Sequence, residues 1–343
     1  MTPEGGAAGG RFEAIRAFIG AHERFLLVTH MGPDGDGLLS CIAFARYLES
    51  LGKKATVAAE GPPPSFVFPY DPEGTVRTHT ELLAAPGWAE RFDAVLALDT
   101  GKPSRLGKLG VPVVESGLPV GVIDHHIPEE GDFDGPSAID KRAASVGEML
   151  ADFLDEEGGA AFGDPLILRL LFATIVYDTG QFRFSNTTEK TLRWAARFVE
   201  LGASPTEPFG VFWESNSPSS VKLQGHLMSR LHLECGGRLA WFSLSKAELE
   251  RFGVRREETE EYITFPRSIS TVEIIAFFSE LDGRVRVSLR SKGRVEIHDV
   301  AQRFGGGGHA FASGARVAGG LDEITATVIA ALTEKLRASL GPD

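Results

Sequence analysis

The chain has 343 residues, of which 43% are hydrophobic and 24% are charged, so it is long enough for two domains with a buried core in each. Its formal net charge of −12 argues against a protein that coats long nucleic acids non-specifically, because such proteins are usually basic. The two cysteines, Cys41 and Cys235, form no CxxC pair, which argues against a structural zinc site or a disulfide framework.

The N-terminal segment and the apolar runs bear on localisation. Residues 1–10 are rich in Gly and Ala and lack the basic and apolar regions of a signal peptide, so we expect a flexible tail and lead-in over residues 1–19. No uninterrupted apolar run is long enough to span a bilayer. The sequence therefore predicts a cytoplasmic protein without a membrane partner.

Short apolar runs predict the sheet of a first domain. The predicted strands are 25–29, 55–59, 94–98 and 120–123, and three of them end directly before His30, Asp99 and Asp124. Helical periodicity covers 38–51, 144–155, 166–177 and 188–201. Strands separated by helices favour a mostly parallel sheet, and ligands bind such sheets at the carboxyl ends of the strands.

Residues 203–220 are rich in Ser, Pro and Asn, and we predict that they link a first domain at 20–202 to a second at 221–343. The predicted strands of the second domain are 239–244, 271–278 and 284–289, followed by a helix over 321–339. The predicted fold is therefore α/β, with a mostly parallel, helix-flanked sheet in the N-terminal domain and a smaller C-terminal α/β domain.

Acidic residues and histidines follow the apolar elements of the first domain. The loop that begins at His30 is, taken alone, as consistent with an Asp/Gly surface turn as with a metal site. Repetition of the pattern at four elements favours metal binding, because carboxylates and imidazoles together suit cations such as Mn²⁺ or Co²⁺. The candidates are His30, Asp34 and Asp36 in this loop, Asp99, the run Asp124-His125-His126, and Asp178.

Four Asp and two His can hold two divalent cations if one carboxylate is shared. Two cations a few ångströms apart can clamp the attacking and leaving oxygens of an in-line phosphoryl displacement. The pattern therefore indicates phosphoester hydrolysis.

Four segments of the first domain occur in a specific order and spacing. They are 30–40 (HMGPDGDGLLS), 97–107 (ALDTGKPSRLG), 123–126 (IDHH) and 177–188 (YDTGQFRFSNTT). Together they resemble the DHH superfamily of phosphoesterases, and most closely its oligoribonuclease and pAp-phosphatase (NrnA-type) branch. The resemblance extends over roughly residues 20–320.

The resemblance implies a role for each candidate. One metal would be held by His30, Asp34 and Asp99. The other would be held by Asp36, Asp99, His125 and Asp178. Asp99 would bridge the two metals, and His126 would face the scissile phosphate as the second catalytic residue. Mn²⁺ is the expected metal, with Mg²⁺ and Co²⁺ as alternatives.

The C-terminal segments 288–291 (SLRS), 304–309 (FGGGGH) and 312–314 (ASG) resemble the DHH-associated substrate-binding domain. Glycines allow close backbone approach to an anion, although a glycine run can also be a flexible linker. Residues 284–303 contain six basic and two acidic residues, which makes this segment basic in an otherwise acidic chain. The expected substrate contacts are Arg290, Ser291, Gly307, Gly308 and His309.

Arg105 lies just after Asp99 in the sequence and is expected either to contact a phosphate or to remain a solvated loop cation. The predicted activity is metal-dependent, exonucleolytic hydrolysis of short RNA or DNA oligonucleotides, of pAp to AMP and phosphate, or of both. The alternatives are a hydrolase of pApA, a pyrophosphatase or exopolyphosphatase of the same superfamily, and a non-catalytic nucleotide sensor. The resemblance is also compatible with a homodimer.

Overall fold

The computed structural model describes residues 10–128 and 130–341. The chain forms two compact units, one ending at Ser215 and the other beginning at Asn216. Among the described residues, no helix combines the length and apolar character needed to cross a membrane.

The first unit is built on a six-stranded sheet in which every neighbouring pair is parallel. Its strands are β1 (Arg24–Val28), β2 (Lys54–Ala59), β3 (Arg77–Thr78), β4 (Ala94–Leu98), β5 (Val120–Asp124) and β6 (Ser137–Ile139). The spatial order is β3-β2-β1-β4-β5-β6, so the chain reverses direction across the sheet between β1 and β4. This result confirms the predicted α/β fold.

Helices cover both faces of this sheet. They are α1 (Glu13–Ala21), α2 (Gly35–Ser50), α3 (His79–Leu83), α4 (Gly110–Glu115), α5 (Val146–Glu156), α6 (Pro165–Asp178), α7 (Glu189–Glu200) and α8 (Glu207–Trp213). Along β1, Phe25 and Leu27 enter one hydrophobic cluster while Leu26 and Val28 enter the other, as the two-residue period of a strand requires. Both faces of the central strands are therefore buried.

Two segments differ from the sequence-based expectation. Residues 1–9 lie outside the described residues, but the following lead-in forms α1 because Ile15, Phe18 and Ile19 share one buried face. Within the predicted linker, α8 forms and packs Val211 and Phe212 against the first core. Aromatic and aliphatic side chains at helical spacing outweigh the Ser, Pro and Asn content there.

The second unit contains a mixed sheet in the order β11-β12-β10-β9-β8-β7. Its strands are β7 (His232–Glu234), β8 (Leu239–Leu244), β9 (Ile274–Leu281), β10 (Arg284–Ser291), β11 (Gly307–His309) and β12 (Ala312–Ala318). Its helices are α9 (Pro218–Met228), α10 (Lys246–Phe252), α11 (His298–Arg303) and α12 (Leu321–Leu340). A 3₁₀ segment spans Arg256–Ser268. All neighbouring strands are antiparallel except β8 and β9.

Candidate metal centre

The candidate ligands meet at the carboxyl edge of the parallel sheet. Strand β4 lies between β1 and β5, and each of these strands is followed within two residues by His30, Asp99 or His125. Because the strands are parallel, their carboxyl ends share one edge. The point where the strand order reverses, between β1 and β4, is where open α/β sheets bind ligands.

Asp99 occupies the middle of this edge and is buried. Its Oδ2 atom lies 3.3 Å from Nε2 of His30, and its Oδ1 atom lies 3.4 Å from Nε2 of His125. The backbone of Asp99 is in the left-handed region, with φ of 62°, which a non-glycine residue adopts uncommonly. One carboxylate thus faces a different histidine with each oxygen.

The N-terminus of α2 supplies two further carboxylates. Asp34 caps the helix by accepting a hydrogen bond from the Gly37 amide, and its Oδ1 atom lies 3.5 Å from Nε2 of His30. Asp36 is buried and accepts hydrogen bonds from the amides of Val146 and Gly147, at 2.6 and 3.1 Å. The start of α5 therefore holds Asp36 in place.

The ligand atoms form two groups, one that contains Asp99 and one that lies next to it. His30, Asp34 and Asp99 form one group; Asp36, His125 and Asp178 form another; within each group the atoms lie within 4.8 Å of one another. Nε2 of His125 lies 3.8 Å from Oδ2 of Asp178, the last residue of α6. The structure therefore brings all six predicted ligands together.

This donor set fits divalent cations. Carboxylate oxygens and imidazole nitrogens are ligands that Mn²⁺ and similar metals accept. Among the described residues, no donor reaches the buried Oδ1 atom of Asp99 with hydrogen-bonding geometry. A buried carboxylate oxygen without a donor is costly, and a cation would satisfy it.

The electrostatics of the cluster also favour added positive charge. Burial raises the pKa of Asp178 to about 7, despite the opposing effect of His125. Burial and the neighbouring charges of Asp99 and Asp178 raise the pKa of Asp36 well above its usual range. The pKa of Asp99 is lowered, because His125 and His30 outweigh the effect of its burial. Crowded carboxylates that resist ionisation together are typical of cation sites.

His126 is held by a residue to which the sequence analysis assigned no role. Its Nδ1 atom lies 2.7 Å from Oδ1 of the buried Asp124, and its backbone amide donates to the same oxygen. Nδ1 also lies 3.5 Å from Oδ1 of Asp99. The position of Asp124 at the end of β5, next to two histidines, was the available signal for this pairing.

Asn186 is a second residue that the sequence analysis did not single out. Its side-chain amide donates to the carbonyls of Asp178 and Ala144, each at 3.0 Å. The carbonyl of the neighbouring Ala143 lies 3.2 Å from Nδ1 of His125. Asn186 thus connects the end of α6 to the loop that supports His125. Ser145, in that loop, caps α5 by accepting a hydrogen bond from the Glu148 amide.

The backbone of Arg105 is hydrogen-bonded to the loop that carries His30. Its carbonyl accepts a hydrogen bond from the amide of Met31, the residue after His30. Its side chain is exposed and makes no ion pair within residues 10–128 and 130–341. This placement is consistent with either of the two roles expected for Arg105.

Two predicted substrate residues lie at the end of β10 in the second unit. Arg290 is half-buried, and its guanidinium donates to the carbonyl of Leu289 at 3.0 Å. Ser291 is buried, and its hydroxyl donates to the carboxylate of Glu273 at 3.0 Å. Because its hydroxyl is used internally, Ser291 supports the strand end in this structure rather than presenting an exposed donor.

The glycine run forms β11 and is not a linker. A Cβ atom on Gly306 would overlap the backbone of β12, and one on Gly308 would lie 2.8 Å from Cα of Ser313. Gly308 also has a φ of 132°, in the left-handed region. At Gly307 the space for a Cβ atom is open. The side chain of His309 lies outside the described part of the chain.

Comparison with known proteins assigns both units. Residues 24–177 match the DHH family, N-terminal domain, and residues 243–335 match the DHHA1 domain. The chain is 33% identical over 310 residues to the "Bifunctional oligoribonuclease and PAP phosphatase NrnA" of Bacillus subtilis, covering 89% of this chain and 92% of that protein. The chain belongs to the NrnA branch of the DHH family.

Solved structures agree with this DHH assignment at the level of fold. An exopolyphosphatase-related protein from Bacteroides fragilis superposes with a TM-score of 0.86 at 21% identity, covering 96% of each chain. The exonuclease RecJ bound to manganese superposes with a TM-score of 0.52 at 16% identity, again covering 96% of each chain. The DHH match contains five of the six candidate ligands, and Asp178 follows its last residue directly.

Proposed function

We propose that this DHH protein is a two-metal phosphoesterase that hydrolyses short oligoribonucleotides and pAp. One observation carries the proposal: Asp99 lies between His30 and His125, with one carboxylate oxygen 3.3 or 3.4 Å from each. A carboxylate placed in this way can be shared by two cations. The activity for which the Bacillus subtilis relative is named supports the choice of substrates.

The metal ligands divide into two sets around Asp99. His30 and Asp34 would hold one cation with it. Asp36, His125 and Asp178 would hold the other with it. Bound divalent cations would act as Lewis acids on the phosphoryl group and lower the pKa of water. We propose Mn²⁺ as the metal, which the donor set accepts and which RecJ binds on a similar fold.

The protein's own groups would orient the substrate. The Asp124 carboxylate holds Nδ1 of His126, and this contact would orient the imidazole toward the scissile phosphate. We propose that Arg105 contacts a substrate phosphate in the first unit. In the second unit, we propose that Arg290, Gly307, Gly308 and His309 contact phosphate.

The test measures turnover of pAp, of RNAs of two to five nucleotides, and of matching DNA oligonucleotides, with Mn²⁺, Mg²⁺ or Co²⁺. Assays of pApA and pyrophosphate separate this activity from other phosphohydrolases. The variant Asp99→Asn keeps the side-chain shape and removes the shared charge. It should lose turnover of every substrate and lose Mn²⁺ binding measured by calorimetry.

Asp93→Asn is the matched control, because Asp93 precedes the opposite end of the same strand, where it accepts backbone hydrogen bonds at the surface. It should retain both activity and metal binding. Wild-type turnover of pyrophosphate alone, or full activity in Asp99→Asn, would refute the proposal. Nucleotide binding without any turnover would identify a sensor instead.

A further inference from the structure

One face of the second sheet is only partly covered. Along β10, Val285, Val287 and Leu289 point into the core beneath α11 and α12, so the residues between them lie on the opposite face. On that opposite face, Ile275 and Phe277 of β9 are buried in a cluster with α9 and α10. Over β10 and β12 no residue of the same face is buried; its residues are partly exposed or exposed, and the cations Arg284, Arg286, Arg290 and Arg316 are among them.

Two arginines lie directly opposite each other on this face. The antiparallel register pairs Arg286 of β10 with Arg316 of β12, and Arg284 lies two residues from Arg286 on the same face. Side chains paired in this way have Cβ atoms about 5 Å apart, and like charges in such a pair are destabilising. We call Arg284, Arg286 and Arg316 the arginine row.

The protein neutralises little of this charge. Arg286 donates to Glu260 at 2.6 Å, but the two side chains are 35% and 50% exposed, and ion pairs with that exposure contribute little. The side chains of Arg284 and Arg316 are exposed and make no ion pair within the described ranges. The residue opposite Arg286 on β9 is the buried Ser279, which supplies no charge.

A pair of like charges of which only one, Arg286, has an acidic partner, itself exposed, favours an external anion. We propose that the arginine row binds backbone phosphates of an oligonucleotide, away from the phosphate held near Arg290. This inference rests on the proposed function, because it assigns the part of the same protein that recognises substrates several nucleotides long. The arginine row would add phosphate contacts to those expected from Arg290 and the glycine run.

The spacing along the strand suits a polymer. Arg286 and Arg290 are four residues apart on one strand, which separates their Cα atoms by about 13 Å. Between them, Ser288 pairs with Gly314, so the strip of sheet joining the two cations carries one small side chain and one bare backbone. An anion whose charges repeat along its length can contact both ends of this strip. A mononucleotide held at Arg290 leaves the row unused.

The experiment measures binding of a fluorescein-labelled RNA pentanucleotide to the full chain in metal-free buffer, by anisotropy at several salt concentrations. The variant is Arg286→Gln/Arg316→Gln. Its affinity should fall by up to about fivefold for each arginine removed. The slope of log affinity against log salt should become shallower by about 1.4, or about 0.7 for each lost phosphate contact.

The matched control is Arg193→Gln/Arg197→Gln on α7, which removes the same charge from two exposed arginines, each with an acidic surface partner as Arg286 has. It should bind the pentanucleotide as the wild type does. The row variant should keep the wild-type KM for pAp in the presence of Mn²⁺. Its melting temperature should be equal or higher, because a like-charge pair is removed.

Three results would overturn the inference: unchanged pentanucleotide affinity and salt slope, an equal loss in the α7 control, or an equal rise in KM for pAp. Failure of the proposed function gives a different result. In that case the wild type turns over no nucleotide, whereas the row variant still binds the pentanucleotide more weakly than the wild type and the control.

Discussion

Asn186 provides a direct test of how the metal centre is positioned. The variant Asn186→Ala removes two hydrogen bonds of 3.0 Å that tie the carbonyl of Asp178 to that of Ala144. Each such bond contributes about 1 kcal/mol net, so the variant should lose roughly 1–3 kcal/mol of unfolding free energy. For a unit of this size, in which 1 kcal/mol shifts the melting temperature by about 2–4 °C, the melting temperature should fall by roughly 2–12 °C.

The effect on metal binding should exceed the effect on stability. Residues that orient metal ligands typically change metal affinity about tenfold or more when they are removed. We therefore expect the Mn²⁺ concentration for half-maximal turnover of pAp to rise by at least about tenfold. Calorimetric titration with Mn²⁺ measures the same change without relying on activity.

The control for this prediction is Ser116→Ala, which also removes two hydrogen bonds, one donated to Val113 and one accepted from Leu118. Ser116 precedes β5, at the amino edge of the sheet, so it lies away from the metal centre. Its melting temperature should fall while its Mn²⁺ dependence stays unchanged. If Asn186→Ala loses stability but keeps wild-type Mn²⁺ affinity, Asn186 does not position the ligands.

Two further predictions concern the space and the protons of the metal centre. A Cβ atom on Gly37 would overlap the Thr29 side chain and lie 3.2 Å from Oδ2 of Asp99. The variant Gly37→Ala should therefore weaken Mn²⁺ binding measured by calorimetry. The control Gly20→Ala adds a Cβ atom in open space and should leave Mn²⁺ binding unchanged. The pKa of Asp178 is raised to about 7, and the pKa values of His30 and His125 are also raised. The metal-free protein should therefore lose stability as pH rises, from about 4 to 7 through Asp178 and at higher pH through the two histidines. Because metal binding displaces those protons, the rise in melting temperature on adding Mn²⁺ should be larger at pH 8 than at pH 6, and an equal or smaller rise at pH 8 would contradict the assignment of these groups as ligands.

The ends of the central parallel strands could be predicted from the sequence, because each end is set by a local change from apolar to polar residues. Strands β1, β4 and β5 are short apolar runs, and His30, Asp99 and Asp124 mark where they end; the short edge strands β3 and β6 lack such a run and were not predicted. The helices α2, α5, α6 and α7 likewise follow from apolar periodicity and from capping residues such as Ser145. Motif order then identified the DHH family before any geometry was known.

Non-local pairing decided the rest. The sequence predicts strands but not their order, and the position of β4 between β1 and β5 is what brings Asp99 between two histidines. The attachment of Asp36 to the start of α5 and the inward hydroxyl of Ser291 depend on segments far apart in the chain. The opposition of Arg286 and Arg316 depends on the register of two strands. Residue patterns set which face a side chain occupies, whereas the packing of distant segments sets what it meets there.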